Sequence, residues 1–566
     1  MITGSPAPLC TTVSGATTCS LTVSQIGAPP VAVTVSNGHD PDAPQTYPLT
    51  ATIDGSASVS GALGLLYFGA FGQQPNDTYP TLAYVDGSPV TVTNNADLSL
   101  FQAAGSPPGF NVSYANGNLT QVYLGSGGGA ITAYSRGGDG FADNVRDPDP
   151  DNFDAGNGDA VSATHTATLT VAGDGVGIGW LAGIGAYSYG GNGAANKTGD
   201  TDYYGDGGNG GTVTVDTSGT VVMSNSGNLP TLAVLAYSQG GGPGALTTGD
   251  HPNYYGASGA GGAVSVEHTG TITSSAPAAA GIAAISIGGD GGLYTGHGVG
   301  SDPGVSGPGG AVSVTLGGGS SVSLSNGGIG VVAVSSVGPS ANSDVDPGIS
   351  GGSVNVDVAQ GATVSVTGSQ GLAIGVAAIS TGSPDVLRPF DTTAVAAAGS
   401  GYSGAATVTN AGTITTSGEM AIGIAALSYG GAGILTTATE GTVSDLGNSA
   451  PAPLMQNQSA ASVTNTGAII TNGASSFGIL ASSAGAGGVI NAATNAIFAG
   501  DVVAAGTVVG GMEGSGGNGG TVTVSHAGTI ATGNGNGGGN MAIGILAQSI
   551  GGSGGTSGGE GAAAFV

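Results

Sequence analysis

Seven aspartates crowd one short run of the chain: Asp139, Asp143, Asp147, Asp149, Asp151, Asp154 and Asp159. Carboxylates at near-alternate positions are hard oxygen donors, and Ca²⁺ takes about six to eight such ligands. The run has no Glu where an EF-hand loop closes, and Gly-Gly-x-Gly-x-Asp is not iterated as in calcium-binding nonapeptide repeats. The expectation is a Ca²⁺ site drawn from Asp139, Asp143, Asp147, Asp149, Asp151 and Asp154. The alternative is a solvated acidic loop.

Tyrosines supply the second chemistry. Tyr203-Tyr204 and Tyr254-Tyr255 occur in two similar stretches, Thr198-Gly-Asp-Thr-Asp-Tyr-Tyr-Gly and Thr248-Gly-Asp-His-Pro-Asn-Tyr-Tyr-Gly. Rings beside carboxylates suit contact with a sugar or another protein surface. Folding back over their own repeat is the competing reading. Tyr187 and Tyr237 are further candidates, because each stands in a repeated strand motif at a position pointing outward.

Catalysis finds little to work with. The chain's basic residues are Arg136, Arg146, Lys197 and Arg388, too few and too scattered for a lyase that stabilises developing negative charge with cations. Gly348-Ile-Ser-Gly-Gly352 and Gly551-Gly-Ser-Gly-Gly555 match a nucleophile-elbow string, but 116 of 566 residues are Gly and such matches arise by chance. An acid pair for glycoside hydrolysis stays open, since many aspartates are present and their separation is not legible. Nucleic acid is excluded as a partner by a net charge of −29. Cys10 and Cys19 are the two cysteines, nine apart, a spacing that suits a hairpin disulfide and an oxidising compartment. Two free thiols are the alternative.

These residues hang on a repeat. Ile/Val-x-Ala-x-Ser recurs nine times, ending at Ser135, Ser188, Ser238, Ser286, Ser335, Ser380, Ser428, Ser483 and Ser549, with steps near 50 residues. Between the copies lie an alternating strand such as Thr212-Val-Thr-Val215, a turn, and a second short strand after Gly-Thr. Alternation with period 2 turns one face inward. Three short strands per unit describe one rung of a three-sided, right-handed parallel β-helix, in which each rung buries its apolar face on its neighbours. Mean hydropathy of +0.23 argues against disorder. The buried Ser is expected to bond to a neighbouring Ser or to turn backbone. His268, Asn410, Asn465 and His526 precede the Gly-Thr turn and are expected to serve as turn residues. Gly-rich excursions after each Ser should stand on one side of the solenoid, where such folds carry function. The residue between Ala and Ser (Tyr134, Tyr187, Tyr237, Ile285, Val334, Ile379, Leu427) faces outward, and unless the excursions cover it that apolar stripe is a docking surface.

Residues 126–566 thus form a solenoid of about nine repeats, and 1–125 an N-terminal cap with irregular first rungs. The stretch Met541-Ala-Ile-Gly-Ile-Leu-Ala-Gln-Ser-Ile-Gly-Gly-Ser-Gly-Gly555, following Gly-Thr-Val-Thr-Val524 and Gly-Thr-Ile530, resembles the passenger repeats of bacterial autotransporters of type V secretion. That resemblance spans about 130–566. It implies a secreted β-helix on the surface of a Gram-negative bacterium, usually an adhesin. Neither a leader nor a translocator barrel is legible in this chain, so anchoring is not expected to be read from it. The function expected is a non-enzymatic extracellular adhesin or display stalk binding a glycan or protein of a host or neighbouring cell. The alternatives are a subunit that polymerises with itself into a filament or sheath, and a secreted glycan-active enzyme.

Overall fold

Alternation is realised rung by rung. In Val213–Thr217 the side chains of Val213, Val215 and Thr217 are buried and those of Thr214 and Asp216 are exposed. A two-residue turn leads into Thr220–Asn225, and the rung closes with Thr231–Gln239. The next rung repeats the order with Val264–His268, Thr271–Ser274 and Ala279–Ile287. Successive copies pair in parallel and in register: Val213 with Val264, Val221 with Ile272, Ala236 with Ala284 and Ser238 with Ser286.

The computed structural model describes residues 2–3, 9–13, 16–22, 31–36, 48–62, 66–72, 86–102, 112–115, 118–122, 127–140, 153–173, 180–198, 201–225, 231–244, 256–276, 279–291, 306–338, 349–368, 372–382, 402–418, 420–430, 459–473, 476–485, 488–490, 508–510, 518–533 and 542–550. Among them three long sheets run the length of the molecule, with twelve, twelve and ten strands. The protein is a three-sided parallel β-solenoid. The Ile/Val-x-Ala-x-Ser strands form one of the twelve-stranded sheets, called here the broad sheet; the strands that open each rung form the other, the opening sheet; the short strands after the turn form the third.

The axial core is a set of columns. Ile184, Val234, Ile282, Val331, Val376, Ile424 and Ile479 stack above one another, each at most 2% exposed. Ile545 continues that column on the last described rung and is 41% exposed. The same residue type changes from buried to exposed where no described rung lies beyond it, so burial here comes from neighbours and not from the rung itself.

Residues before 125 enter the same three sheets. Leu49–Asp54 and Val90–Asn94 are parallel members of the opening sheet. Within the described strands of those sheets direction reverses only at the edges, where Ile2–Thr3 pairs antiparallel with Val31–Ser36, and Leu9–Val13 forms an antiparallel hairpin with Ala16–Thr22; Val112–Ala115 and Asn118–Val122 form a separate antiparallel pair. Antiparallel first strands break the parallel template that an open edge would offer. The hairpin register sets Cys10 opposite Cys19.

The excursions leave and return on glycine. Gly138, Gly191, Gly241, Gly289 and Gly338 begin them, and Gly156, Gly208, Gly259 and Gly307 end them. The N–H of Gly191 bonds Gly156 O, that of Gly208 bonds Gly191 O, that of Gly241 bonds Gly208 O and that of Gly259 bonds Gly241 O, at 2.8–2.9 Å. The zigzag continues through Gly289, Gly307 and Gly338. A Cβ on Gly241 would collide with the carbonyl of Gly191, its equivalent one rung back, so successive bases stack this closely only because the position carries no side chain.

Candidate functional site

Each rung's Ser ties the corner where the excursion is rooted. Ser238 Oγ donates to Gly211 O at 2.8 Å and accepts the N–H of Gly262, one rung on, at 2.9 Å. Ser286 does the same with Gly262 O and Gly310 N, and Ser335 with Gly310 O and Gly352 N. In these three the partner is turn backbone, and a single hydroxyl satisfies half-buried groups of two rungs; Ser428 also meets the Ser403 hydroxyl at 2.8 Å, so both expected partners occur.

The acids of the described loops are spent in a similar way. Asp154 Oδ1 accepts the N–H of Asp206, and Asp206 Oδ1 accepts that of Ala257. Beside them runs Asp86 to Asn157 to Asn209 to Ala260, and beside that Asp139 to Asn192 to Gly242, all at 2.6–2.9 Å. These are side-chain ladders parallel to the solenoid axis, each carboxylate or amide replacing a missing strand partner. Asp139 also pairs with Arg136 at 2.7 Å. Burial pushes the Asp159 carboxyl up, partly offset by the Ala160 N–H that it accepts, with the Asp86 charge adding to the rise. Of the expected Ca²⁺ ligands, Asp143, Asp147, Asp149 and Asp151 lie outside the described residues. Asp139 and Asp154 fall on different ladders, and among the described residues no three His, Cys, Asp or Glu side chains cluster as a metal would need.

Tyr187 and Tyr237 are brought together. They stand in one column with Tyr134 on the outer face of the broad sheet, ring centroids 6.4–6.5 Å apart. Tyr189, two residues after Tyr187, interleaves at 5.4 Å from both Tyr134 and Tyr237, and Phe71 extends the row at 5.4 Å from Tyr134. Sequence reasoning passed over Tyr189 and Phe71; the signal was the i, i+2 spacing that puts Tyr187 and Tyr189 on one strand face. Tyr187 is buried, while Tyr134, Tyr189 and Tyr237 are half-buried. Desolvation raises the Tyr134 hydroxyl to about 12, with Arg136 opposing and Asp139 adding. Tyr203 and Tyr204 lie in Thr201–Tyr204, a strand paired antiparallel with Ala195–Thr198 inside one excursion. Tyr254 and Tyr255 lie outside the described residues.

Beyond the tyrosines the outward row is aliphatic, and it is not an open stripe. Ile285, Val334, Ile379 and Leu427 are 0–4% exposed and form a second apolar cluster with Ala283, Val332, Ile374 and Leu480. The broad sheet is therefore buried on both faces. Alternation gave the direction of these side chains correctly, but the docking surface conditional on their exposure is absent there.

Two histidines sit inside. His165 and His268 end strands of the opening sheet as the third inward residue, at most 1% exposed, and bond to side chains of adjacent rungs. Their place is explained by this corner bonding. Comparison of the chain with family models, with curated proteins and with solved structures finds no match in any of the three.

Proposed function

We propose that this protein is a non-enzymatic extracellular β-solenoid whose excursions on one side contact a glycan or protein on a host or neighbouring cell. The observation that carries the reading is the division of labour at the excursion corner. Ser, Asp and Asn side chains there are engaged in rung-to-rung bonds, so the corner serves as a rigid base. The chain between outgoing and returning glycines is free to vary in length without disturbing it. The half-buried rings of Tyr134, Tyr189 and Tyr237 give the broad sheet aromatic surface suited to sugar or protein contact.

Surface presentation by a type V route on a Gram-negative bacterium belongs to the same proposal and rests on the repeat motif. Cys10 opposite Cys19 fits a disulfide formed outside the cytoplasm. Ca²⁺ held by the aspartate run would brace the first long excursion.

The test is attachment. Beads coated with the protein are compared with beads carrying a variant in which residues 245–255 are replaced by a short Gly-Ser bridge across the glycine base, on arrayed glycans and on cultured epithelial cells. Selective binding that falls at least several-fold in the variant supports the reading, provided hydrogen exchange shows the rungs unchanged. Equal binding by both proteins, or none by either, contradicts it.

A further inference from the structure

A polar wire runs along the inner corner between the opening sheet and the short-strand sheet. In register along the axis stand Asn94, His165, Thr217 and His268. Asn94 is pinned by its own turn: Nδ2 donates to Ala96 O at 3.1 Å and Oδ1 accepts the Ala96 N–H at 3.2 Å. Turning the amide over would set oxygen against oxygen and N–H against N–H, so its orientation is fixed. The second hydrogen of Nδ2 then points at His165 Nδ1, 2.9 Å away. That nitrogen must accept, which leaves the His165 proton on Nε2, 3.3 Å from the Thr220 carbonyl oxygen. One rung further, Thr217 Oγ1 meets His268 Nδ1 at 2.7 Å.

We propose that this corner is an acid-sensitive latch: a proton taken up at His165 Nδ1 sets two donors against each other inside the solenoid, and the rungs around His165 and His268 open. The groups facing the two rings favour this outcome. Desolvation holds the His165 pKa down and outweighs the Thr220 carbonyl and the charge of Asp97, which favour the cation; the ring's other partner is Asn94, and Thr217 is its register neighbour. His268 meets Thr217, the backbone of Ser321 and Gly270, and His165 itself, whose positive charge would oppose a second one; burial again dominates and lowers it. Asp216 and Glu267 are on these strands but on the exposed face. Because both folded values lie below the ordinary histidine value near 6.5, their contribution is complete above about pH 6.5 and is lost as pH falls toward the depressed values.

The latch covers only part of the molecule. At the same ladder position Leu316 and Val358 carry no proton, and Asn410 bonds Asn465 at 2.7 Å with no titration. His526 ends that second wire at 3.0 Å from Asn465, on an exposed strand end. Acid thus loosens the rungs that carry the tyrosine row and leaves the middle rungs closed. The proposal does not depend on what the excursions bind.

Hydrogen exchange read by mass spectrometry at about pH 7.5 and about pH 5.5, each corrected for intrinsic rate, tests it. Peptides over 161–165, 213–217 and 264–268 should lose protection by up to roughly tenfold for each of the two imidazoles, because pH 5.5 lies about one unit below the ordinary histidine value near 6.5. Peptides over 354–358 and 406–410 should not. His165→Asn with His268→Asn, which installs the residue found at 94, 410 and 465, should abolish the difference. Should that variant fail to fold, ¹⁵N spectra of the wild-type imidazoles decide: a neutral Nε2–H ring at His165 that gains its proton as exchange rises is expected. Loosening spread evenly along the solenoid, a variant as acid-sensitive as the wild type, or a His165 cation with the rungs still closed overturns the proposal.

Discussion

At the residue scale, most of what looks like chemistry in the sequence is wiring. Ser286 bonds Gly262 O and Gly310 N, so Ser286→Ala strands two half-buried backbone groups and should cost about 1–3 kcal/mol in urea unfolding. Ser353→Ala, on an exposed side chain, should lie within about 0.5 kcal/mol of wild type. A second pair probes the two faces of the broad sheet. Ala284 stacks between Ala236 and Ala333, so Ala284→Leu overpacks the axial core and should cost about 1–3 kcal/mol. Outward alternation alone would make Ile285→Thr harmless, but its 4% exposure predicts a loss of at least about 1 kcal/mol as a hydroxyl enters the second cluster. Thermal and urea midpoints of both variants check this. The inward columns were legible because period 2 fixes direction. Burial of the outer face was not, because direction says nothing about what lies over a side chain.

At the element scale, glycine decides how an excursion leaves the solenoid. Gly241→Ala drives a methyl into the Gly191 carbonyl and should unlock that base, whereas Gly544→Ala meets nothing within 4 Å. The first should lower the thermal midpoint clearly and the second should not. The ladders beside these glycines were written in the sequence, since Asp154-Ala-Gly-Asn-Gly and Asp206-Gly-Gly-Asn-Gly repeat 52 residues apart. Reading the aspartates as one cluster hid that, because proximity along the chain suggested a common ligand while the structure puts Asp139 and Asp154 on separate ladders. The remaining run, 143–151, carries its own prediction. Millimolar Ca²⁺ should raise the thermal midpoint over a chelator control if it binds the folded state alone, and an unchanged midpoint returns the run to a solvated acidic loop.

At the scale of the whole molecule, the tyrosine row, the polar wire, the glycine bases and the candidate contact side all follow from one relation, that each rung lies in register on the rung about 50 residues away. A shift of one residue would exchange every inward and outward face. Ser265 and Ser313 sit directly paired on the exposed face of the opening sheet, hydroxyls 3.2 Å apart. The most direct measurement is disulfide trapping: Ser265→Cys with Ser313→Cys, oxidised and mapped by peptide mass spectrometry under non-reducing conditions, against Ser265→Cys with Ser462→Cys as control. In-register stacking predicts near-complete crosslinking of the first pair with the unfolding midpoint kept or raised, and none within the second. No link in the first pair, or equal linking in both, would contradict the stacked solenoid and every face derived from it.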